Sequence, residues 1–246
     1  MVGIFCSSIK PHLWMGVYES LSNSKTLFEV CFVGPIAPQF DLPKNMKYIS
    51  SNVKPAQCFY IGATRVFGEY LFNMPDDLCL YDQWSRDNKV PFLDLMLDFY
   101  LKFKSQDIIV SAQYKYKKKG RNPEYSTHEF EYDKNILLPV GGLMHRSLWN
   151  SIGIDKNFVA LYWAEDIAME LYSREGMVII NKNLITSSHE GGKLCQCENN
   201  HDRNLWKKMW LKDNGTSLKT RKCKIDPITE TPNILTVSQG NRGQWE

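Results

Sequence analysis

Short apolar runs alternate with stretches of helical periodicity along the first half of the chain. Val2-Gly-Ile-Phe-Cys6 is unbroken and apolar, as a buried first strand requires. Pro11 opens a helical pattern to about Ser22, with Leu13, Val17 and Leu21 on one face. Leu27 to Val33 reads as a second strand ending at Gly34-Pro35, and Met46 to Ser50 as a third. Pro55 to Phe67 is predicted helical, with Phe59, Ala63 and Val66 on its apolar side. Tyr70-Leu71-Phe72 is strand-like and runs into Met74-Pro75-Asp76-Asp77. Val90 to Phe103 is strongly amphipathic, with Leu93, Leu97 and Tyr100 in one stripe, and Ile108 to Ala112 is a further strand. Strands alternating with helices predict an α/β fold, a mostly parallel sheet flanked by helices on both faces.

After residue 112 the rhythm changes. Tyr114 to Asn135 is polar and charged, contains Lys117-Lys118-Lys119-Gly120-Arg121, and reads as an exposed, mobile loop. Apolar Ile136 to Val140 leads into Gly141-Gly142. Helices are predicted over Ser147 to Ile152 and Glu165 to Arg174, then a strand over Met177 to Ile180. A late helix, His201 to Lys212, carries Trp206 and Trp210, and the sequence is irregular from Asn214 onward.

The 246 residues suffice to bury a core without disulfide staples. The seven cysteines follow no regular spacing, and Cys6, Cys31, Cys58 and Cys79 sit inside apolar runs. This usage predicts reduced thiols and a cytoplasmic setting. The first residues lack the basic stretch and long apolar core of a signal peptide, and no apolar run approaches the length of a membrane span. A net charge of +3 is too small to argue for nucleic acid by itself.

Three acidic or imidazole-bearing positions can carry chemistry. Asp76-Asp77 follows an apolar strand at the edge where open α/β sheets collect ligands. Adjacent carboxylates suit magnesium or manganese, and they also suit a solvated turn that caps a helix. Trp163-Ala164-Glu165-Asp166 sets an acidic pair at a helix start, where the helix dipole welcomes it in any case. A carboxylate there can also act as a general base, with Trp163 as an apolar platform or as core. His189, in Ser187-Ser188-His189-Glu190-Gly191-Gly192, becomes a ligand only if the fold carries it to Asp77. Gly141-Gly142 fits either a tight turn or a close approach of ligand to backbone. The lysine run fits a solvated face, or attraction of an anion.

Taken in order, these features resemble the GT-A glycosyltransferases, especially the family 2-like group. Gly62 to Asp77 is similar to the family's run from helix into its acidic motif, Gly141 to Trp149 to its acceptor-side glycine segment, and Ile154 to Gly176 to its acidic pair and following helix. The resemblance covers residues 1–192. It implies a GT-A, Rossmann-like fold with a nucleotide-sugar half over about 1–112, an acceptor half over about 136–192, and a small irregular or helical C-terminal extension over 193–246. It implies a hexosyl- or pentosyltransferase that uses manganese or magnesium and a nucleotide-sugar donor, foremost a UDP-sugar, and transfers to a glycan or other hydroxyl acceptor with inversion.

Residue by residue, the resemblance makes Asp77 the metal ligand and Asp76 a second contact to metal or donor ribose. Asp166 becomes the base, with Glu165 beside it. His189 completes the metal site, and Ser7, Ser8 and Gly34 open the nucleotide pocket, with Gly141 and Gly142 bordering the bound donor. Two departures stand out: Gly34-Pro35 replaces the acidic residue that many relatives place against the base, and Pro75-Asp76-Asp77 lacks a strict D-x-D. A glycosyltransferase acting on a modified nucleic-acid base, and a non-catalytic carbohydrate-binding protein of the same fold, are the alternative readings.

Overall fold

The computed structural model describes residues 1–76, 78–80, 89–116, 124–126, 141–188, 196–210, 220–221 and 236–237. Strand β1 (Val2–Ser7) leads through a single 3-10 turn at Pro11–Leu13 into helix α1 (Trp14–Leu21). Strands β2 (Phe28–Gly34) and β3 (Met46–Ser50), helix α2 (Pro55–Arg65) and strand β4 (Tyr70–Asn73) follow. Next come β5 (Leu78–Cys79), helix α3 (Phe92–Leu101), β6 (Ile108–Tyr116) and β7 (Glu124–Ser126). The described remainder comprises β8 (Gly142–His145), α4 (Arg146–Ile152), α5 (Trp163–Ser173), β9 (Met177–Ser188) and α6 (Gln196–Trp210). A two-stranded ladder pairs β10 (Thr220–Arg221) with β11 (Thr236–Val237).

The main sheet has the order β3-β2-β1-β4-β8-β6-β9-β5, with β7 paired to β6. Strands β1, β2, β3, β4, β6 and β9 point one way, while β5, β7 and β8 run against them. The sheet is therefore mostly parallel, as the alternating pattern predicts. The chain order reverses between β1 and β4, and the carboxyl ends of strands at such a reversal are where ligands of open α/β sheets bind.

Two apolar layers cover the sheet. On one face, Trp14, Val17 and Leu21 of α1 and Phe92, Leu93, Met96 and Tyr100 of α3 pack on Ile4, Phe32 and Val110. The stripe of α1 runs from Trp14 rather than Leu13, because Leu13 still belongs to the 3-10 turn. On the other face, α2, α4, α5 and α6 pack on Phe5, Val33, Leu71 and Ile109. Trp206, Met209 and Trp210 share this cluster with Phe59 and Trp163, so α6 is integral to the core rather than an appendage.

In the second half the helices α4, α5 and α6 and the start of β9 fall where expected, while other strands depart from the expectation. The strand from Ile108 continues to Tyr116 and pairs with Glu124–Ser126, within a stretch whose polarity had suggested only a loop. Pairing on both sides supplies the backbone partners that side-chain polarity does not reveal. Strand β8, where the sequence pattern predicts no strand, is held between β4 and β6, and β9 extends to Ser188. Beyond Ala112 the ladder of β6 and β9 shifts register, pairing Gln113 with Ile185. The apolar stretch Ile136–Val140 and the lysine run 117–119 lie outside the described residues.

Gly34 fixes how β1 and β2 end. A Cβ at Gly34 would sit 1.7 Å from the Ser8 carbonyl oxygen, so no side chain fits between the two strand ends. The Gly34 carbonyl also accepts from the Ser51 amide and the Tyr48 hydroxyl, both at 2.9 Å. Gly34→Ala is expected to lower stability by about 3 kcal/mol, at the upper end for overpacking because the obstacle is backbone; chemical denaturation measures it.

Candidate active site at the carboxyl edge of the sheet

Asp76 leaves the end of β4 and turns under the loop that follows β1. Its Oδ2 accepts from the Ser8 hydroxyl at 2.8 Å, the Ile9 amide at 2.9 Å and the Lys10 amide at 2.8 Å. The side chain is buried, with 7% exposure. A buried carboxylate is tolerated where N–H and O–H donors converge on it, and three do so here. The Ser8 hydroxyl in turn accepts from the Trp14 indole at 2.6 Å, and Trp14 stacks on Phe32 with ring centroids 4.1 Å apart. Asp76 is thus the link that joins β4, the 7–10 loop and α1. Ser7 ends β1 half-buried, and its hydroxyl hydrogen-bonds the Cys58 thiol.

The glycine segment reaches the same edge. Asn73, the last residue of β4, accepts the Gly142 amide on its Oδ1 at 3.0 Å. Gly141 has φ +61, a left-handed conformation that suits glycine, and both glycines are buried. The antiparallel pairing of β4 with β8 places Gly142 beside the strand end that leads to Asp76.

Asp77 and His189 lie outside the described residues. Their described neighbours do meet: Leu78 pairs with Ser188, and Cys79 with Ser187. Among the described residues no group of three or more His, Cys, Asp and Glu side chains gathers as a metal cluster.

The acidic pair sits in the first turn of α5. Asp166 has 0% exposure, and its Oδ1 accepts the Trp210 indole N–H at 2.8 Å. Glu165 is half-buried. Burial pushes its carboxyl up to about 7; its own backbone N–H opposes the rise, and the carboxylates of Asp166 and Asp202 add to it. Trp163 packs as core, 4.6 Å from the Phe59 ring, and is no exposed platform.

Several contributors escape a reading of motifs. Asn73 and Trp14 look like ordinary strand and helix residues. Asp202, with 0% exposure, accepts three consecutive amides: Val159 at 2.9 Å, Ala160 at 2.6 Å and Leu161 at 2.8 Å. One signal for it exists in the sequence: Asp202, Trp206 and Trp210 fall at i, i+4 and i+8, a carboxylate on the apolar stripe of a helix.

With these features the chain has the GT-A-type fold. Crystal structures of S. aureus TarS are among the solved structures with a similar fold. TarS 1–349 in complex with UDP-GlcNAc matches at 14% identity and TM-score 0.53, over 78% of this chain and 59% of that one. A structure of S. aureus TarS matches at 12% identity and TM-score 0.56, over 84% of this chain and 39% of that one. The chain therefore spans well under two thirds of the TarS chains it matches. No family model matches the sequence, and no curated protein matches it. None of the described helices is long and apolar enough to cross a membrane.

Two outcomes are expected. Asp76→Ala leaves the Ile9 and Lys10 amides and the Ser8 hydroxyl without their acceptor, and should cost about 3 kcal/mol in urea denaturation. For Glu165 the folded value of about 7 lies above the ordinary 4.5, so the folded chain holds the proton more tightly and loses stability as pH rises from 4.5 to about 7. Glu165→Gln should flatten that part of the Tm-against-pH curve and raise Tm above it; a curve unchanged by the substitution contradicts the assignment.

Proposed function

We propose that the chain is a metal-dependent glycosyltransferase that moves a hexosyl or pentosyl group from a nucleoside-diphosphate sugar to an acceptor hydroxyl with inversion. The observation that carries this reading is the convergence at the carboxyl ends of β1 and β4. Ser8, Gly34 and Asp76 are locked together there, and Asn73 holds Gly142 beside them. The UDP-GlcNAc bound in the TarS structure supports a UDP-sugar donor for a chain of this fold.

In this reading residues 1–112 bind the donor and 136–192 the acceptor, and the 193–246 extension contributes α6 to the core beneath them. Ser7, Ser8, Gly34, Gly141 and Gly142 border the donor, and Gly141 and Gly142 let its diphosphate approach the backbone. Asp77 and His189 would hold manganese or magnesium. A carboxylate and an imidazole, completed by diphosphate oxygens, form a suitable donor set, and the pairing of Leu78 with Ser188 supports their approach. Bound there, the ion would neutralise the leaving diphosphate. The Oδ2 of Asp76 is committed to the 7–10 loop, so Asp76 would meet ribose or metal through Oδ1.

Asp166 is the base in this reading, taking the acceptor's proton as its oxygen attacks the anomeric carbon, with Glu165 beside it on the acceptor. Glycosyl release from a panel of nucleotide sugars with manganese tests the proposal. Transfer or donor hydrolysis by the wild type should fall at least about 100-fold in Asp77→Asn and in Asp166→Asn, with circular dichroism unchanged. A fully active Asp166→Asn removes the base, and a wild type that turns over no donor overturns the function.

A further inference from the structure

Helix α6 holds the segment that leads into the acidic pair, and Asp166 itself, at two points. From its first half, Asp202 grips the three amides of Val159, Ala160 and Leu161. From its last residue, Trp210 donates its indole N–H to Asp166 Oδ1. Between these two holds, Tyr162 has φ +60 and ψ −4, a left-handed conformation in which a non-glycine side chain is strained. Its carbonyl accepts the Asp166 amide at 2.8 Å, and its ring lies 6.1 Å from that of Trp206. A conformation of this kind persists only where its surroundings over-determine it, and α6 supplies those surroundings.

We infer that Asp202 and Trp210 are positioning residues that set the Val159–Asp166 turn and orient the Asp166 carboxylate for proton abstraction. The inference rests on the transferase reading above and names residues that no sequence motif assigns. The division of labour is physical. Asp202 fixes the backbone entering α5, because three amides converging on one buried carboxylate leave that loop little freedom. Trp210 fixes the side chain: an indole N–H on one carboxylate oxygen selects a rotamer and favours the ionised form of Asp166, the form that accepts a proton. Glu165, and Asp202 with His201 at 2.9 Å on its Oδ1, are titratable neighbours at the same turn.

Two measurements on the full chain test it. The first needs no donor: in the 1H-15N spectrum, with the Trp210 indole assigned by triple-resonance methods, Asp166→Asn should move that resonance further than any other tryptophan's. The second is kinetic. Trp210→Phe should lower kcat by about 10- to 100-fold with donor KM within about twofold. It should also shift the acidic limb of the pH-rate profile to higher pH, because the lost N–H no longer favours the charged carboxylate. Asp202→Asn should lower kcat with the same donor KM and, with Trp210 in place, should leave the acidic limb where it is. A Trp210 resonance indifferent to Asp166→Asn overturns the inference, and so does a Trp210→Phe enzyme with wild-type kcat and pH profile. A chain whose spectrum behaves as expected but which turns over no nucleotide sugar overturns the proposed function instead.

Discussion

One buried carboxylate oxygen governs the carboxyl edge of β1 and β4. Asp76 Oδ2 collects a hydroxyl and two amides from the loop after β1, and through Ser8 it reaches the Trp14 indole. Charge-assisted hydrogen bonds of this kind are about twice as strong as neutral ones, so the strands on either side of the reversal point are held to one geometry. Gly34 makes that closure possible, since anything larger would meet the Ser8 carbonyl. This edge is thus shaped before any ligand arrives, and a pre-shaped site spends little ordering entropy on binding.

The turn before α5 uses the same device a second time. Asp202 collects three amides just before α5, as Asp76 collects its donors just after β1. In both places a buried carboxylate from one element organises the loop of another, far away in sequence. The acidic pair then divides by environment. Asp166 is enclosed and hydrogen-bonded, while Glu165 is half-buried with its carboxyl pushed towards neutrality. Two adjacent carboxylates in different environments can serve different tasks.

The first half could be read from the sequence because its strands are unbroken apolar runs and its helices carry clean stripes. Val2 to Cys6, Leu27 to Val33 and Val90 to Phe103 each signal their element locally. In the second half the three helices and the start of β9 were legible in the same way; β8 and the long ends of β6 and β9 were not, because they are stabilised by neighbours remote in sequence. Asp76 stood out only as half of an acidic pair; its role as a loop anchor depends on Ser8, 68 residues away. Asp202 and Trp210 were hidden for the same reason, since their partners lie 41 to 44 residues away. Periodicity reports burial, and it says nothing of which buried polar groups will meet.

The most direct test is a calorimetric titration of UDP into the full chain with and without manganese, repeated on Asp77→Asn. Saturable UDP binding that requires manganese in the wild type and is lost in Asp77→Asn is the expected result. UDP binding of equal strength with and without metal would contradict a metal site at Asp77, and no UDP binding under either condition would contradict a UDP-sugar transferase.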